Sequence, residues 1–191
     1  DMQNFDQKKL GQGLGEMHLN STESNPKMYG YPIEGFIGIT DQEKGWEDNW
    51  TDCFLNLRIM PQLSILRSNT LEKEVVNKLK EKIKSELLTH KPINCLVHGD
   101  LWSGNIGVDT SGRGVIFDPA SWWADNEVDI AMTKLFGGFR KEFYEEYHKI
   151  FPVKQGFENR IIIYNFYHIL NHANMFGGGY INQVKDYVKA I

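Results

Sequence analysis

The stretch CLVHGDLWSGNIGV, residues 95–108, begins as a short apolar run and ends among polar residues. His98 and Asp100 directly follow the apolar run, and Asn105 comes five residues after the aspartate. A short apolar run that ends in glycine and polar residues predicts a buried strand followed by a tight loop. The loop therefore places a carboxylate and an amide together at the end of a strand.

A β-hairpin is predicted directly after this loop, because NIGV and VIFDPA flank the glycine-rich turn DTSGRG. A hairpin returns its two ends to the same place, so Asp118 should lie near Asn105. Two carboxylates and one amide oxygen would then share one corner, and such hard oxygen donors suit Mg²⁺ together with phosphates. The carboxylate that the ion leaves free, Asp100, can accept the proton of a hydroxyl group.

The rest of the chain has mostly helical periodicity, with apolar residues three and four positions apart. The segment 33–50, IEGFIGITDQEKGWEDNW, has no clean period and is predicted to be an irregular ordered loop. The fold class is therefore α+β and mostly α-helical, with one small β-hairpin in a single domain over residues 1–191. The predicted helices cover residues 4–19, 50–61, 71–88, 127–136, 141–150, 158–176 and 180–190.

Composition limits the partners that the chain can have. Its 191 residues are 41% hydrophobic and 24% charged, which is typical of a globular domain with a substantial core. The net charge of −4 argues against nucleic acid or an anionic membrane as the main partner. Cys53 and Cys95 lack CxxC spacing, so we interpret them as reduced core thiols of a cytoplasmic protein.

The spacing of the three polar residues resembles that of kinases. Protein kinases carry H-R-D-x-x-x-x-N and then D-F-G, which supply the catalytic base and two metal ligands. Here HGD at residues 98–100 stands in place of HRD, and FDP at residues 117–119 stands in place of DFG. The HGD form is similar to that of aminoglycoside and choline kinases, so the chain resembles a kinase-like phosphotransferase rather than a usual protein kinase.

A resemblance to the fructosamine kinase family, also called ketosamine-3-kinases, extends over nearly the whole chain. It is carried by LGQGLGEMHLNS, WEDNW…RIMPQL, HGDLWSGN, IFDPASWW, DIAMTKLFGGF and NHANMFGGGYI, in that order. The resemblance implies a protein-kinase-like fold that uses ATP and Mg²⁺. It also implies phosphorylation of the 3-hydroxyl of a ketosamine, a sugar adduct on a free or protein-bound lysine, after which the unstable adduct falls off and the lysine is deglycated.

The resemblance also implies a role for each residue of the corner. Asp100 is the expected catalytic base, and Asn105 and Asp118 are expected to hold Mg²⁺ and the ATP phosphates. His98 and Asp129 are expected to brace the loop that carries the base, although Asp129 could instead cap a helix.

Three tryptophans are candidates for contact with the sugar. Trp102 is expected beside it, with a core position as the equal alternative. Trp122 and Trp123 are further candidates, and at least one of this pair should lie in the core.

Four other residues stay open between two interpretations. Glu127 could face the substrate or lie at a solvated helix start. His168, Asn171 and His172 share one helix face, and polar core packing is favoured over a metal site because no carboxylate or cysteine partner is in view.

Two other functions also stay open. One is a small-molecule kinase of the aminoglycoside or choline type, and the other is a non-catalytic kinase-like binding module.

Kinases also need a smaller lobe, with a glycine-rich loop over the phosphates and a strand lysine. No strand-rich segment of that kind stands in the sequence, so the chain is expected to be the C-terminal lobe alone, with the nucleotide lobe absent. Such a lobe should fold but turn over ATP poorly. It should also expose an apolar patch and could self-associate through that patch.

Overall fold

The structure is a computed structural model that describes residues 6–67 and 70–191. It is mostly helical with small antiparallel sheets, which confirms the α+β prediction. The helices are α1 (Gln7–Thr22), α2 (Trp50–Phe54), α3 (Met60–Ile65), α4 (Lys73–Leu88), α5 (Glu127–Leu135), α6 (Lys141–Ile150), α7 (Phe157–Phe176) and α8 (Gly179–Ala190). The strands are β1 (Tyr29–Tyr31), β2 (Gly35–Ile37), β3 (Thr40–Gln42), β4 (Gly45–Glu47), β5 (Asn94–Val97), β6 (Ile106–Val108), β7 (Gly114–Ile116) and β8 (Trp122–Asp125).

The central sheet has the strand order β4-β1-β8-β5, and every pair is antiparallel. Cys95 and Val97 of β5 are buried, as their alternation in an apolar run predicts. Strand β5 ends at Val97, so the polar loop that follows begins at the edge of the core. The predicted strand and loop are therefore both present.

The prediction of an irregular loop over residues 33–50 is wrong in part. Strands β2 and β3 pair with each other there, and β4 joins the central sheet through β1. Each of these strands has only three residues, which is too short to show an alternating pattern. The pairing of β1 with β4 also depends on Gly30, whose φ of +121° and closeness to the Gly45 carbonyl leave no room for a side chain.

The helix predicted to end near Pro61 continues to Ile65. It consists of α2, a π-helical turn (Leu55–Ile59) and α3. Pro61 lies in the first turn of α3, where a missing N–H costs little, so the proline does not stop the helix.

Helix α7 is the central element of the helical layer. It packs against α5 and α8, with α3 and α4 along its length, and most of its side chains are buried. Helix α1 packs against α6 and β5. Among the described residues, none of the helices combines the length and the apolar character needed to cross a bilayer.

The predicted hairpin is formed by β6 and β7, with Ile106 opposite Ile116. The Asp109 carboxylate accepts hydrogen bonds from the backbone N–H groups of Ser111 and Arg113, which fixes the turn. Beyond the strands, the Phe117 N–H donates to the Asn105 carbonyl at 3.1 Å. The hairpin therefore returns the chain to the start of the polar loop, as its sequence predicts.

Candidate active site

The polar loop after β5 turns sharply at Gly99. This glycine has φ of +83°, and a Cβ there would clash with the backbone carbonyl of Ala120. The loop therefore passes directly against the segment that follows the hairpin, and only glycine fits at this point. His98 is buried before the turn, and Asp100 is partly exposed after it.

The buried carboxylate of Asp129, in the first turn of α5, holds the backbone of this loop. Its Oδ2 accepts from the His98 N–H at 2.7 Å, and its Oδ1 accepts from the Gly99 N–H at 2.8 Å. His18 of α1 contacts the same carboxylate through Nε2 at 3.0 Å. Burial alone would raise the pKa of Asp129, but the hydrogen bond and charge of His18 lower it overall.

A hydrogen-bond chain extends from this carboxylate into the core. His18 Nε2 donates to Asp129, and its Nδ1 forms a hydrogen bond with the Tyr147 hydroxyl, 2.9 Å away. The same hydroxyl accepts from the Asn126 side-chain amide at 2.9 Å. Each of these groups is buried and has a partner, so the chain fixes the position of the Asp129 carboxylate.

The His98 ring connects the loop to the hairpin. Its Nε2 lies 2.9 Å from the Phe117 carbonyl and donates to it, while Nδ1 accepts from the Asp100 N–H at 3.3 Å. These contacts, and those of Asp129, are the ones that bracing of the loop requires. Bracing as the role of both residues stays a prediction.

The structure brings Asp100, Asn105 and Asp118 together. The Asn105 side-chain N–H donates to the Asp100 carbonyl at 2.9 Å and lies 3.3 Å from Asp100 Oδ2. The same nitrogen lies 3.5 Å from the Asp118 carbonyl. The hairpin therefore places Asp118 beside Asn105, as the sequence spacing predicts.

Burial raises the pKa of Asp100, and the nearby charge of Asp118 adds to this effect. His98, His172 and the Asn105 hydrogen bond partly offset the rise. Asp118 itself is exposed and has φ of +56°, a backbone conformation that few residues other than glycine adopt. Such conformations cluster at functional sites, which agrees with a special role for this corner.

The donor set of the corner fits Mg²⁺. Asp118 offers an exposed carboxylate, and the amide oxygen of Asn105 takes no part in the three contacts of its nitrogen. Carboxylate and amide oxygens are hard ligands that Mg²⁺ accepts together with phosphates.

A second group of closely spaced ligand-type side chains, His90, Asp125 and Glu127, belongs to the core. Asp125 accepts from His90 and from Tyr164, each at 2.7 Å. Glu127 accepts from Nε and Nη2 of Arg160, at 2.6 and 2.8 Å. Both interpretations of Glu127 as a substrate contact or a solvated helix start are therefore wrong, because it forms a buried ion pair.

The tryptophans differ in their surroundings. Trp102 is 38% exposed next to Asp100, and its ring forms a T-shaped contact with Phe136. Trp122 is fully buried, stacks on Trp50 at 5.5 Å and lies under the Arg58 guanidinium. The prediction that Trp122 contacts substrate is therefore wrong, because adjacent strand residues face opposite sides of the sheet and Trp122 faces the core.

Trp123, its neighbour in β8, lies on the opposite face of the sheet and is partly exposed. Contact of Trp123 with substrate stays a prediction.

Helix α7 brings two histidines to the corner. His168 is 1% exposed, and its Nδ1 lies 3.9 Å from Asp100 Oδ1. His172 is half-buried, contacts Phe136 and Tyr180 through its ring, and contributes to the pKa of Asp100.

The interpretation as core packing holds for Asn171, which donates to the Ile37 carbonyl at 3.3 Å. The same interpretation did not predict that His168 and His172 approach Asp100. Their spacing places them on one helix face, but the sequence does not show which loop that face meets.

Comparisons with known proteins show which family the chain is similar to. A sequence model of the fructosamine kinase family matches residues 1–191. The chain is 42% identical to a "Probable ketoamine kinase" from Synechocystis sp., over 95% of this chain and 60% of that protein. It is 36% identical to the chloroplastic protein-ribulosamine 3-kinase of Oryza sativa subsp. japonica, over 97% of this chain and 56% of that protein.

A solved structure from Thermobifida fusca, provisionally named a fructosamine-3-kinase, has the same fold. Its TM-score is 0.86 at 24% identity, over 100% of this chain and 67% of that chain. The chain thus spans about 60% of the length of the curated relatives it matches. Because the family model matches the whole sequence, the chain belongs to the fructosamine kinase family.

Proposed function

We propose that this chain carries the catalytic and substrate-binding part of an ATP-dependent ketosamine 3-kinase. The reaction transfers the γ-phosphate of ATP to the 3-hydroxyl of a fructosamine or ribulosamine on lysine or protein, and deglycation follows. The observation that carries the proposal is the shared corner of Asp100, Asn105 and Asp118 in a chain of this family.

Asp100 is the catalytic base of the proposed reaction. It orients the substrate hydroxyl and accepts its proton as the oxygen attacks the γ-phosphate in line. Asp100 lies in a loop whose backbone is hydrogen-bonded by the Asp129 carboxylate and by the His98 ring. Phosphoryl transfer depends mainly on such positioning, because the protein has little covalent chemistry to do.

Asn105 and Asp118 would hold Mg²⁺ and, with it, the ATP phosphates. The bound ion would neutralise charge on the phosphates. Asn105 also keeps its amide nitrogen on Asp100, so the proposed ion site and the base share one residue.

The substrate sugar would lie against the aromatic surface beside Asp100. Trp102 contacts Phe136, and Phe136 contacts His172, with ring centroids 6.0 and 5.1 Å apart. Such rings offer flat faces to the C–H surface of a sugar, while the corner receives its hydroxyl. Trp123 remains a further candidate for this contact.

The chain is further proposed to be the C-terminal lobe of a kinase-like fold that works with a separate nucleotide lobe. The 191 residues alone would then bind and turn over ATP poorly. Exposed apolar side chains on the segment around β2 and β3, Ile33, Phe36 and Ile39, are candidates for self-association. A cytoplasmic location is supported by the two free, buried thiols.

The test measures transfer of labelled phosphate from ATP, with the complete reading frame that encodes these residues and with the 191-residue chain. Glycated lysine is the substrate, and choline and an aminoglycoside are the controls. We expect transfer to glycated lysine that Asp100→Asn abolishes, with little transfer from the 191-residue chain. Transfer to choline or the aminoglycoside instead, or wild-type rates with Asp100→Asn, would refute the proposal.

A further inference from the structure

His168 is a buried histidine that has no role in the reaction proposed above. The residue is 1% exposed, and neither ring nitrogen has a hydrogen-bond partner among the described residues. Buried polar atoms nearly always have a partner, so an unpartnered pair on one ring calls for an explanation. An apolar side chain of similar size would fill the same space without this cost.

The ring is directed at the proposed base. Its Nδ1 lies 3.9 Å from Asp100 Oδ1, slightly beyond hydrogen-bond distance. The other oxygen, Oδ2, lies 3.3 Å from the Asn105 amide nitrogen. The Asp100 carboxylate therefore lies between a donor on the loop and an imidazole on α7, and a shift below 1 Å would complete the second bond.

His168 is suited to donate rather than to carry charge. Burial lowers its pKa to about 3, and the nearby charge of His172 adds to this effect. A neutral imidazole has one N–H, which must lie on either Nδ1 or Nε2. The tautomer with the proton on Nδ1 places its only donor opposite Asp100 Oδ1.

We propose that His168 is a positioning residue for Asp100, whose Nδ1–H donates to Asp100 Oδ1 and fixes the carboxylate plane in which the base meets the substrate hydroxyl. The inference rests on the proposed function, because it assigns a partner to the base of that reaction. It requires no proton transfer to His168. It differs from core packing because it demands one tautomer and one donor position.

The first test is spectroscopic. Long-range ¹H–¹⁵N spectra of the protein with labelled histidine distinguish the two neutral tautomers. We expect His168 to be neutral with its proton on Nδ1, and its signal to move in Asp100→Asn. A proton on Nε2 overturns the proposal.

The second test uses three variants in the complete reading frame. His168→Leu removes the donor at similar volume, His168→Asn keeps an amide N–H close to the place of Nδ1, and His148→Leu is the control on α6. Loss of orientation should lower kcat of the Leu variant about 100-fold with the KM for ATP unchanged. The Asn variant should recover most of the rate, and the control should match wild type.

The outcomes separate the inference from the function beneath it. If Asp100→Asn abolishes transfer but His168→Leu keeps the wild-type kcat, only the inference fails. Equal losses of kcat in His168→Leu and His168→Asn also overturn the inference, because a hydrogen-bond donor at this position then has no effect on the rate. If Asp100→Asn keeps full activity, the proposed function fails and the inference fails with it.

Discussion

Replacement of Asp129 tests whether one buried carboxylate fixes the loop that carries the proposed base. The carboxylate is fully buried and accepts from two backbone N–H groups of the loop and from the His18 ring, at 2.7 to 3.0 Å. Alanine removes all three acceptor contacts. Asparagine keeps the shape and one acceptor oxygen but turns an amide N–H toward a donor.

The size of the effect follows from these contacts. A hydrogen bond to a charged group contributes about 1.5–3 kcal/mol, and breaking a buried ion pair costs about 3–5 kcal/mol. Allowing for relaxation and water entry, Asp129→Ala should lower the free energy of unfolding by about 4 kcal/mol. Asp129→Asn should lower it by about 2 kcal/mol, because one backbone N–H keeps its acceptor. A domain of this kind has only about 5–15 kcal/mol in total.

Urea unfolding, followed by circular dichroism and tryptophan fluorescence, measures the difference. The control is Asp186→Ala, whose exposed pair with Lys189 should contribute below about 0.5 kcal/mol. Because the folded pKa of Asp129 is lowered, its contribution is present above the unfolded pKa and is lost as pH falls through the folded pKa. An Asp129→Ala variant within about 1 kcal/mol of wild type would refute the reasoning.

Three further predictions concern single positions. Gly99→Ala and Gly112→Ala share a φ near +80°, but only the first meets a backbone carbonyl, so urea unfolding should show a cost about 2 kcal/mol larger for Gly99. Burial raises the folded pKa of Asp100, because the charged carboxylate is disfavoured in the folded state. The stability that the protonated form contributes is therefore lost as pH rises through the folded pKa. Asp100→Asn should therefore unfold at no lower urea concentration than wild type at neutral pH, while transfer is lost. Trp102→Ala should raise the KM for the ketosamine about tenfold and leave the KM for ATP unchanged in steady-state assays; equal changes in both would contradict a sugar contact.

The sequence predicted those parts of the fold that have a strong local signal. The 20-residue α7 and the hairpin between β6 and β7 follow from helical period and turn residues. The three-residue strands within residues 33–50 carry no such signal and were missed. The helix through Pro61 was cut short, because a π-helical turn before the proline has no recognisable sequence pattern.

The candidate site was predictable where residues are close in sequence. Asn105 and Asp118 are joined by a short hairpin, so their contact could be inferred from its turn. The burial of Trp122 could not be inferred from the sequence. Two adjacent tryptophans on a strand face opposite sides of the sheet, and the sequence does not show which side is the core. The approach of His168 to Asp100 joins segments 68 residues apart and depends on helix packing that no local pattern encodes.

The contact between His18 and Asp129 joins positions 111 residues apart. Closing so long a stretch of chain is entropically costly, and contacts of this kind slow folding. A chain that leaves the ribosome can therefore form its helices well before its polar loop takes a working shape. Formation of the contact between His18 and Asp129 during refolding should accordingly follow recovery of helicity, because the two halves of the chain must first assemble.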